Sequence, residues 1–165
     1  MDMDTLPNII DLEASGFGRG SYPIEIGFVL SNGDSYCSLI QPAKGWDKWD
    51  RSAEQIHGIS QEILFKVGKP VAEIAQTINQ LLSGEMIYSD AWGNDSSWLG
   101  LLFDEANMPM NFRMDSIRSL LTEEQAAIWH ETKERVIETT PLKRHRASSD
   151  AAIIQITYEM VVLGS

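Results

Sequence analysis

The apolar residues of this chain fall into two rhythms. Within the first forty positions they form short runs bounded by turn residues. Asn8 to Glu13 reads as a buried strand, Glu25 to Leu30 as a second, and Ser31-Asn32-Gly33-Asp34 carries an Asn-Gly turn signal before a third strand near Ser35 to Ile40. A three-strand meander therefore opens the fold. Beyond it the rhythm turns helical. Pro70 stands at a helix start, and Val71, Ile74, Ala75, Ile78, Leu81 and Leu82 follow at helical spacing before Gly84 supplies a stop. A short strand is predicted at Met86 to Ser89, then an amphipathic helix marked by Trp98, Leu99, Leu102, Phe103 and Ala106, then a fifth strand at Asn111 to Met114. Thr122 with Gln125 three residues on is a capping-box signature opening a charged helix to about Glu138, and a last helix runs from about Ala147 to Val162. The segment 41–69, with Gly45, Trp46 and Trp49, reads as irregular. The sum is an α/β fold in which a mixed five-stranded sheet, meander plus parallel strands, is flanked by helices.

Composition narrows the class without choosing a function. At 165 residues with five tryptophans the chain can bury one real core, and neither a repeat nor a low-complexity tract interrupts it, so residues 1–165 are expected to form a single domain. The start, Met1-Asp2-Met3-Asp4, is acidic where a secretory signal needs basic residues, and the most apolar C-terminal stretch is broken by Gln155, Thr157 and Glu159; the expectation is a soluble cytoplasmic protein with no membrane association. Cys37 stands alone, which excludes a disulfide framework and a thiolate metal cluster and leaves it as a strand residue. The net charge of −11 lacks the basic footprint of proteins that hold long nucleic acid by counterion release. It suits a solvated surface, metal binding, or a short or transient anionic substrate.

The candidate chemistry lies in the acids that interrupt the apolar rhythm. Asp11 and Glu13 end an apolar strand at i and i+2, so they share a face with Cα atoms roughly 6.5 Å apart. Like charges that close raise each other's pKa and resist joint ionisation unless a cation neutralises them. Taken alone, such a pair is better read as a turn-capping Asp11 beside a solvated Glu13, because so short a motif matches by chance. Asp95 aligns with Trp98, Leu99, Leu102 and Phe103 at offsets of three, four, seven and eight, and Asp150 aligns with Ile154, Thr157 and Val161. Each is an acid on an inward stripe, costly to bury unless paired or metal-bound, with helix N-capping as the alternative reading. His145 lies five residues before Asp150. On one continuous helix that spacing would turn the two side chains roughly 140° apart, so they converge only if His145 sits in the loop leading in. Lys143, Arg144 and Arg146 make this loop the densest basic cluster of the chain, read either as a solvated loop or as an approach for an anion.

In order, Asp11-x-Glu13, Asp95 at a helix start, and His145 with Asp150 five residues on resemble the three-part signature of the DEDDh, or DnaQ-like, 3′-5′ exonucleases, which have a ribonuclease H-like fold. The resemblance covers nearly the whole chain. Ile56-His57-Gly58-Ile59-Ser60 is similar to the family's HGI(T/S) segment, and His145-Arg146-Ala147-Ser148-Ser149-Asp150-Ala151 to its third motif. It implies that Asp11, Glu13, Asp95 and Asp150 hold two divalent ions, for which Mg²⁺ or Mn²⁺ fits an all-oxygen set. It also implies two-metal phosphodiester hydrolysis with His145 as general base, the five residues together being the catalytic set. The expected substrate is the 3′ end of single-stranded or short nucleic acid, DNA or RNA, releasing nucleoside 5′-monophosphates; a homodimer or larger complex is left open.

The turn Ala14-Ser15-Gly16-Phe17 resembles the family segment that meets the terminal nucleotide, so Phe17 is read as a base-stacking wedge or as core, and His57 as a support of its segment or a border of the groove. Trp46, Trp49 and Trp92 could stack on bases, with packing the better expectation for each. Two departures stand out. Asp90, five residues before Asp95, is a rival third acid, and the stretch from about Ser119 to Glu138 carries a charged helix with Trp129 where many relatives have an apolar one. The rivals from other classes are a catalytically idle domain of the same fold that binds nucleic acid or protein, and a carboxylate-rich protein that takes a divalent ion for stability alone.

Overall fold

The computed structural model describes residues 5–164, so the acidic start at Met1 to Asp4 lies outside the described residues. Five strands, β1 (Asn8–Ala14), β2 (Pro23–Val29), β3 (Ser35–Leu39), β4 (Met86–Ser89) and β5 (Arg113–Ser116), form one sheet in the order β3-β2-β1-β4-β5. The first three pair antiparallel as a meander, while β4 runs parallel to both β1 and β5. The mixed sheet predicted from the sequence is therefore the sheet observed.

Six α-helices flank it: α1 (Arg51–His57), α2 (Gln61–Val67), α3 (Val71–Leu81), α4 (Trp92–Ala106), α5 (Glu123–Thr139) and α6 (Ala147–Tyr158). Side-chain alternation on β1 sorts them. Ile10 and Leu12 pack into one core with Ile74 and Ile78 of α3 and Leu99, Leu102 and Phe103 of α4. Ile9 points the other way, into a second core with Trp129 of α5 and Ala151, Ile154 and Tyr158 of α6. Asp11 and Glu13 have the parity of Ile9, so β1 carries them on the α6 face.

Segment 41–69 corrects the expectation of irregular structure, since it holds α1 and α2. Each is only seven residues long, too short for an apolar stripe to repeat. The residues His57 to Ser60 make the corner between them. Gly58 closes α1 in the left-handed conformation at φ 70°, the buried Ile59 anchors the corner, and the Ser60 hydroxyl accepts from the Ile63 N–H to cap α2. Three boundaries also move. α4 begins at Trp92, before its apolar stripe, β5 falls two residues later than its predicted start, and the last helix is α-helical only to Tyr158 before a π-helical turn over Glu159–Leu163. No helix of the described residues is long and apolar enough to cross a membrane.

Candidate metal and nucleic-acid site

The site lies where β1 and β4 end at their carboxyl sides. Pairing between these two strands covers only Asn8 with Ile87 and Ile9 with Tyr88, and β4 stops at Ser89, so the last residues of β1 have no strand on that side. Open α/β sheets bind ligands in such a crevice, where consecutive connections diverge to opposite sides. Here the gap is filled by the first turns of two helices.

Asp95 and Asp150 each occupy the fourth position of a helix, α4 and α6, and each backbone N–H already serves the helical ladder, to the carbonyls of Ala91 and Arg146. Neither acid is an N-cap. Both helices aim their positive ends at the site, which favours negative charge there. One carboxylate oxygen each of Asp11, Glu13 and Asp150 lies within 4.8 Å of the others. Asp95 stands beside this trio, buried, its Oδ2 accepting from the Ser89 hydroxyl at 2.5 Å.

What brings α6 against β1 is a glycine the sequence reading passed over. Gly27 is the cross-strand partner of Asp11 on β2, and a Cβ at Gly27 would collide with the backbone of Ala147 and Ser148. The missing side chain lets the first turn of α6 lie directly on the sheet, delivering Asp150 to the strand that carries Asp11 and Glu13. Glu25 was missed as well. This fully buried carboxylate, opposite Glu13, takes the Arg146 guanidinium through Nη2 at 2.6 Å and Nε at 3.0 Å, and accepts the Ala147 N–H at 2.7 Å. A lone glycine and an acid inside an apolar strand were the available signals.

Electrostatically the trio is unfinished. Burial pushes the Asp11 carboxyl well above the usual carboxylate range, helped by the charges of Asp95, Glu13 and Asp150, and its enclosed Oδ2 has no hydrogen-bond partner. Burial, and then the Asp150 charge and hydrogen bond, push Glu13 up to about 8. Burial raises Asp95 to about 7 against the pull of the Ser89 hydroxyl and the Leu12 N–H. An orphaned buried oxygen in an all-carboxylate set fits a hard divalent cation, which would bind the ionised acids and remove their mutual repulsion.

The other predicted residues fall around the trio. His145 is in the turn before α6, in the left-handed conformation at φ 62°, and its backbone N–H donates to Asp150 Oδ1 at 3.2 Å. His145 thus lies in the loop leading into α6, as the spacing requires, and the contact it makes with Asp150 is through its backbone. Arg144 Nε approaches the same oxygen at 3.5 Å. Asp90 is not one of the trio; it pairs with Lys133 Nζ of α5, at 2.6 Å.

On the other side of Glu13, a notch of about 70 Å³ is lined by Ala14, Gly16, Phe17, Ile56, His57 and Trp98. Phe17 is not core but 56% exposed, and Ile56 faces the same notch half exposed. The turn carrying Phe17 is clamped by Asp50, which accepts its N–H at 2.9 Å, and by Lys48 Nζ, which donates to its carbonyl. Ser15 ties the turn's base to Tyr22 through reciprocal bonds at 2.9 and 3.0 Å. His57 Nδ1 accepts from the Ile59 N–H at 3.0 Å, which leaves the ring proton on Nε2, a buried donor without a partner at the notch. Of the tryptophans, Trp46 stacks on Tyr22 and Trp49 meets His57 edge-on, both as packing, while Trp92 is exposed.

The fold is similar to that of solved exonucleases. Exonuclease I of E. coli, crystallised with a dA16 oligonucleotide, superposes with a TM-score of 0.71 at 13% identity, covering 95% of this chain and 41% of that one. Exonuclease I of Methylocaldum szegediense gives 0.71 at 12% identity over 97% of this chain and 40% of that chain. Pop2p of S. pombe, in its Mg²⁺ and Mn²⁺ bound form, gives 0.68 at 14% over 94% of this chain and 82% of its own. The chain thus spans about two fifths of the Exonuclease I length and has the ribonuclease H-like fold of these DEDD-type exonucleases. No protein-family profile and no curated protein sequence matches it.

Proposed function

We propose that this chain is a divalent-metal-dependent 3′-5′ exonuclease of the DEDDh type, acting on single-stranded or short nucleic acid and releasing nucleoside 5′-monophosphates. The observation that carries the reading is the convergence of Asp11, Glu13 and Asp150 within 4.8 Å around an enclosed, partnerless oxygen. Those three acids, with Asp95 behind them, would hold two Mg²⁺ or Mn²⁺ ions. Bound there, such ions would supply a lowered pKa for an attacking water and charge stabilisation for the departing 3′ oxygen. The remaining work falls to the chain. Tethered through its backbone to Asp150, His145 is the general base for the water, a role that needs its imidazole neutral near physiological pH.

Substrate handling follows from the notch beside Glu13. Phe17 and Ile56 offer exposed apolar faces for a terminal base, worth about 1–3 kcal/mol per stacked base. The partnerless His57 Nε2–H is the nearby donor for a polar group of that nucleoside. Trp98 also borders a broad cleft of about 770 Å³ between the turn at Gly18 to Ser21 and α4, an open route for the strand leading to the 3′ end. The Exonuclease I structures with single-stranded oligonucleotides support this class of substrate. The test uses RNA and DNA oligomers labelled at either end, incubated with Mn²⁺, Mg²⁺ or chelator. Stepwise shortening from the 3′ end, only with metal, is expected. Internal cleavage, or shortening in chelator, sinks the proposal.

A further inference from the structure

α5 replaces the apolar helix expected from the family resemblance, and its inward stripe carries a cation. Trp129, Lys133 and Val136 stand at helical spacing of four and three; the first and last are buried in or beside the second core. Lys133 therefore reaches inward rather than into solvent. Its Nζ lies 2.6 Å from Asp90, with both side chains mostly covered. It also borders a small cavity of about 80 Å³ together with Asp11, Asp90, Arg144 and Asp150, and its charge is felt at Asp11. Two of the walls of that cavity are proposed metal ligands.

We infer that Lys133 is a positioning residue for the acidic site: a resident monovalent cation, held by Asp90, that partly offsets the negative field around Asp11 and Asp150 and keeps Asp90 out of the ligand set. The inference rests on the proposed metal site, and it explains why the rival acid, although it lines the same cavity as Asp11 and Asp150, is not one of the converging trio. Asp90 spends its charge on the ammonium. Asp95, with only a hydroxyl and a backbone N–H as partners, stays available beside Asp11. The charge of Lys133 has a definite consequence. It opposes the entry of a divalent ion, so its loss tightens ion binding, whereas loss of Asp90 with Lys133 intact leaves a bare cation on the wall and weakens it. A unit charge at this range in a partly solvated site shifts ion affinity by about tenfold.

The experiment is calorimetric titration of the full chain with Mn²⁺, without substrate, so that no nuclease turnover is needed. Lys133→Met is expected to tighten Mn²⁺ binding about tenfold, Asp90→Asn to weaken it by a similar factor, and the double variant to return near the unaltered protein, since the two charges cancel. Lys133→Arg, which keeps the charge, is expected to change little and controls for folding. Unchanged or weaker binding in Lys133→Met overturns the inference. So does a loss of binding in Asp90→Asn that the double variant fails to restore, the result expected if Asp90 were itself a ligand. If the unaltered protein binds no Mn²⁺, the metal reading falls and this inference with it. Binding that is intact but insensitive to Lys133 removes the inference alone.

Discussion

Glu13 and Glu25 face each other across β1 and β2, and the contrast between them separates an acid served within the chain from one that is not. Glu25 is completely buried yet fully served, by two guanidinium nitrogens of Arg146 and the first N–H of α6. Glu13 is less covered and has no cation of its own; burial, then the charge and hydrogen bond of Asp150 and the charges of Glu25 and Asp95, push it up to about 8. Two like charges directly opposite on a sheet destabilise it. The chain pairs one of them internally and gives the other no ion-pair partner among the described residues. Glu25 thus builds the wall, because its bonds fix the start of α6, and Glu13 belongs to what the wall encloses.

The sharpest way to break that division is to neutralise the unpaired side. Asp11→Asn should lower nuclease activity by about 10³-fold or more, about 4 kcal/mol of transition-state stabilisation, while the protein stays folded. Single-turnover assays at saturating Mn²⁺ check it, and near-full turnover would remove Asp11 from the metal set. On the paired side, Arg146→Met should cost about 2–4 kcal/mol of stability. It leaves Glu25 buried without its cation, and the value sits below that of a fully buried pair because Arg146 is a third exposed. Urea unfolding should return the same loss with and without Mn²⁺. A loss confined to the metal-bound protein would move Glu25 into the functional group.

The smallest expected effect is a pH dependence peculiar to the unpaired acids. Glu13 is raised from an ordinary 4.5 to about 8 and Asp95 from 3.8 to about 7, both first by burial. Between those limits the folded protein keeps protons that the unfolded chain has released. The metal-free fold therefore loses stability as pH climbs from about 4.5 to about 8, the reverse of a salt-bridged carboxylate. A fall in Tm of roughly 5 °C between pH 5 and 8 is expected without metal, and a flatter profile with saturating Mn²⁺, which stabilises the ionised acids. Scanning calorimetry decides it. A metal-free Tm that rises over this interval would mean that the cluster is neutralised from within.

Much of this was legible in residue spacing. Apolar runs located all five strands, with β5 displaced by two residues, and the capping box at Thr122 and Gln125 is formed as predicted. The helical wheels picked out Asp95 and Asp150, both of which lie at the site end of the sheet. The seven-residue helices α1 and α2 escaped because two turns hold too few apolar positions to establish a period. Phe17 had two readings because sequence gives its neighbours along the chain; the clamp from Asp50 and Lys48, about thirty residues away, is what holds its turn outward.

Which residues share a face follows from residue order alone: Asp11 with Glu13 by the period of a strand, Asp95 and Asp150 with the apolar stripes of their helices. What each face meets is set by contacts between distant segments. Gly27 admits α6, Arg146 reaches Glu25 across 121 positions, and Lys133 captures Asp90 across 43, leaving Asp95 beside Asp11. Periodicity is a local consequence of backbone geometry. Charge pairing depends on distance through space, which is fixed only once the helices are laid on the sheet.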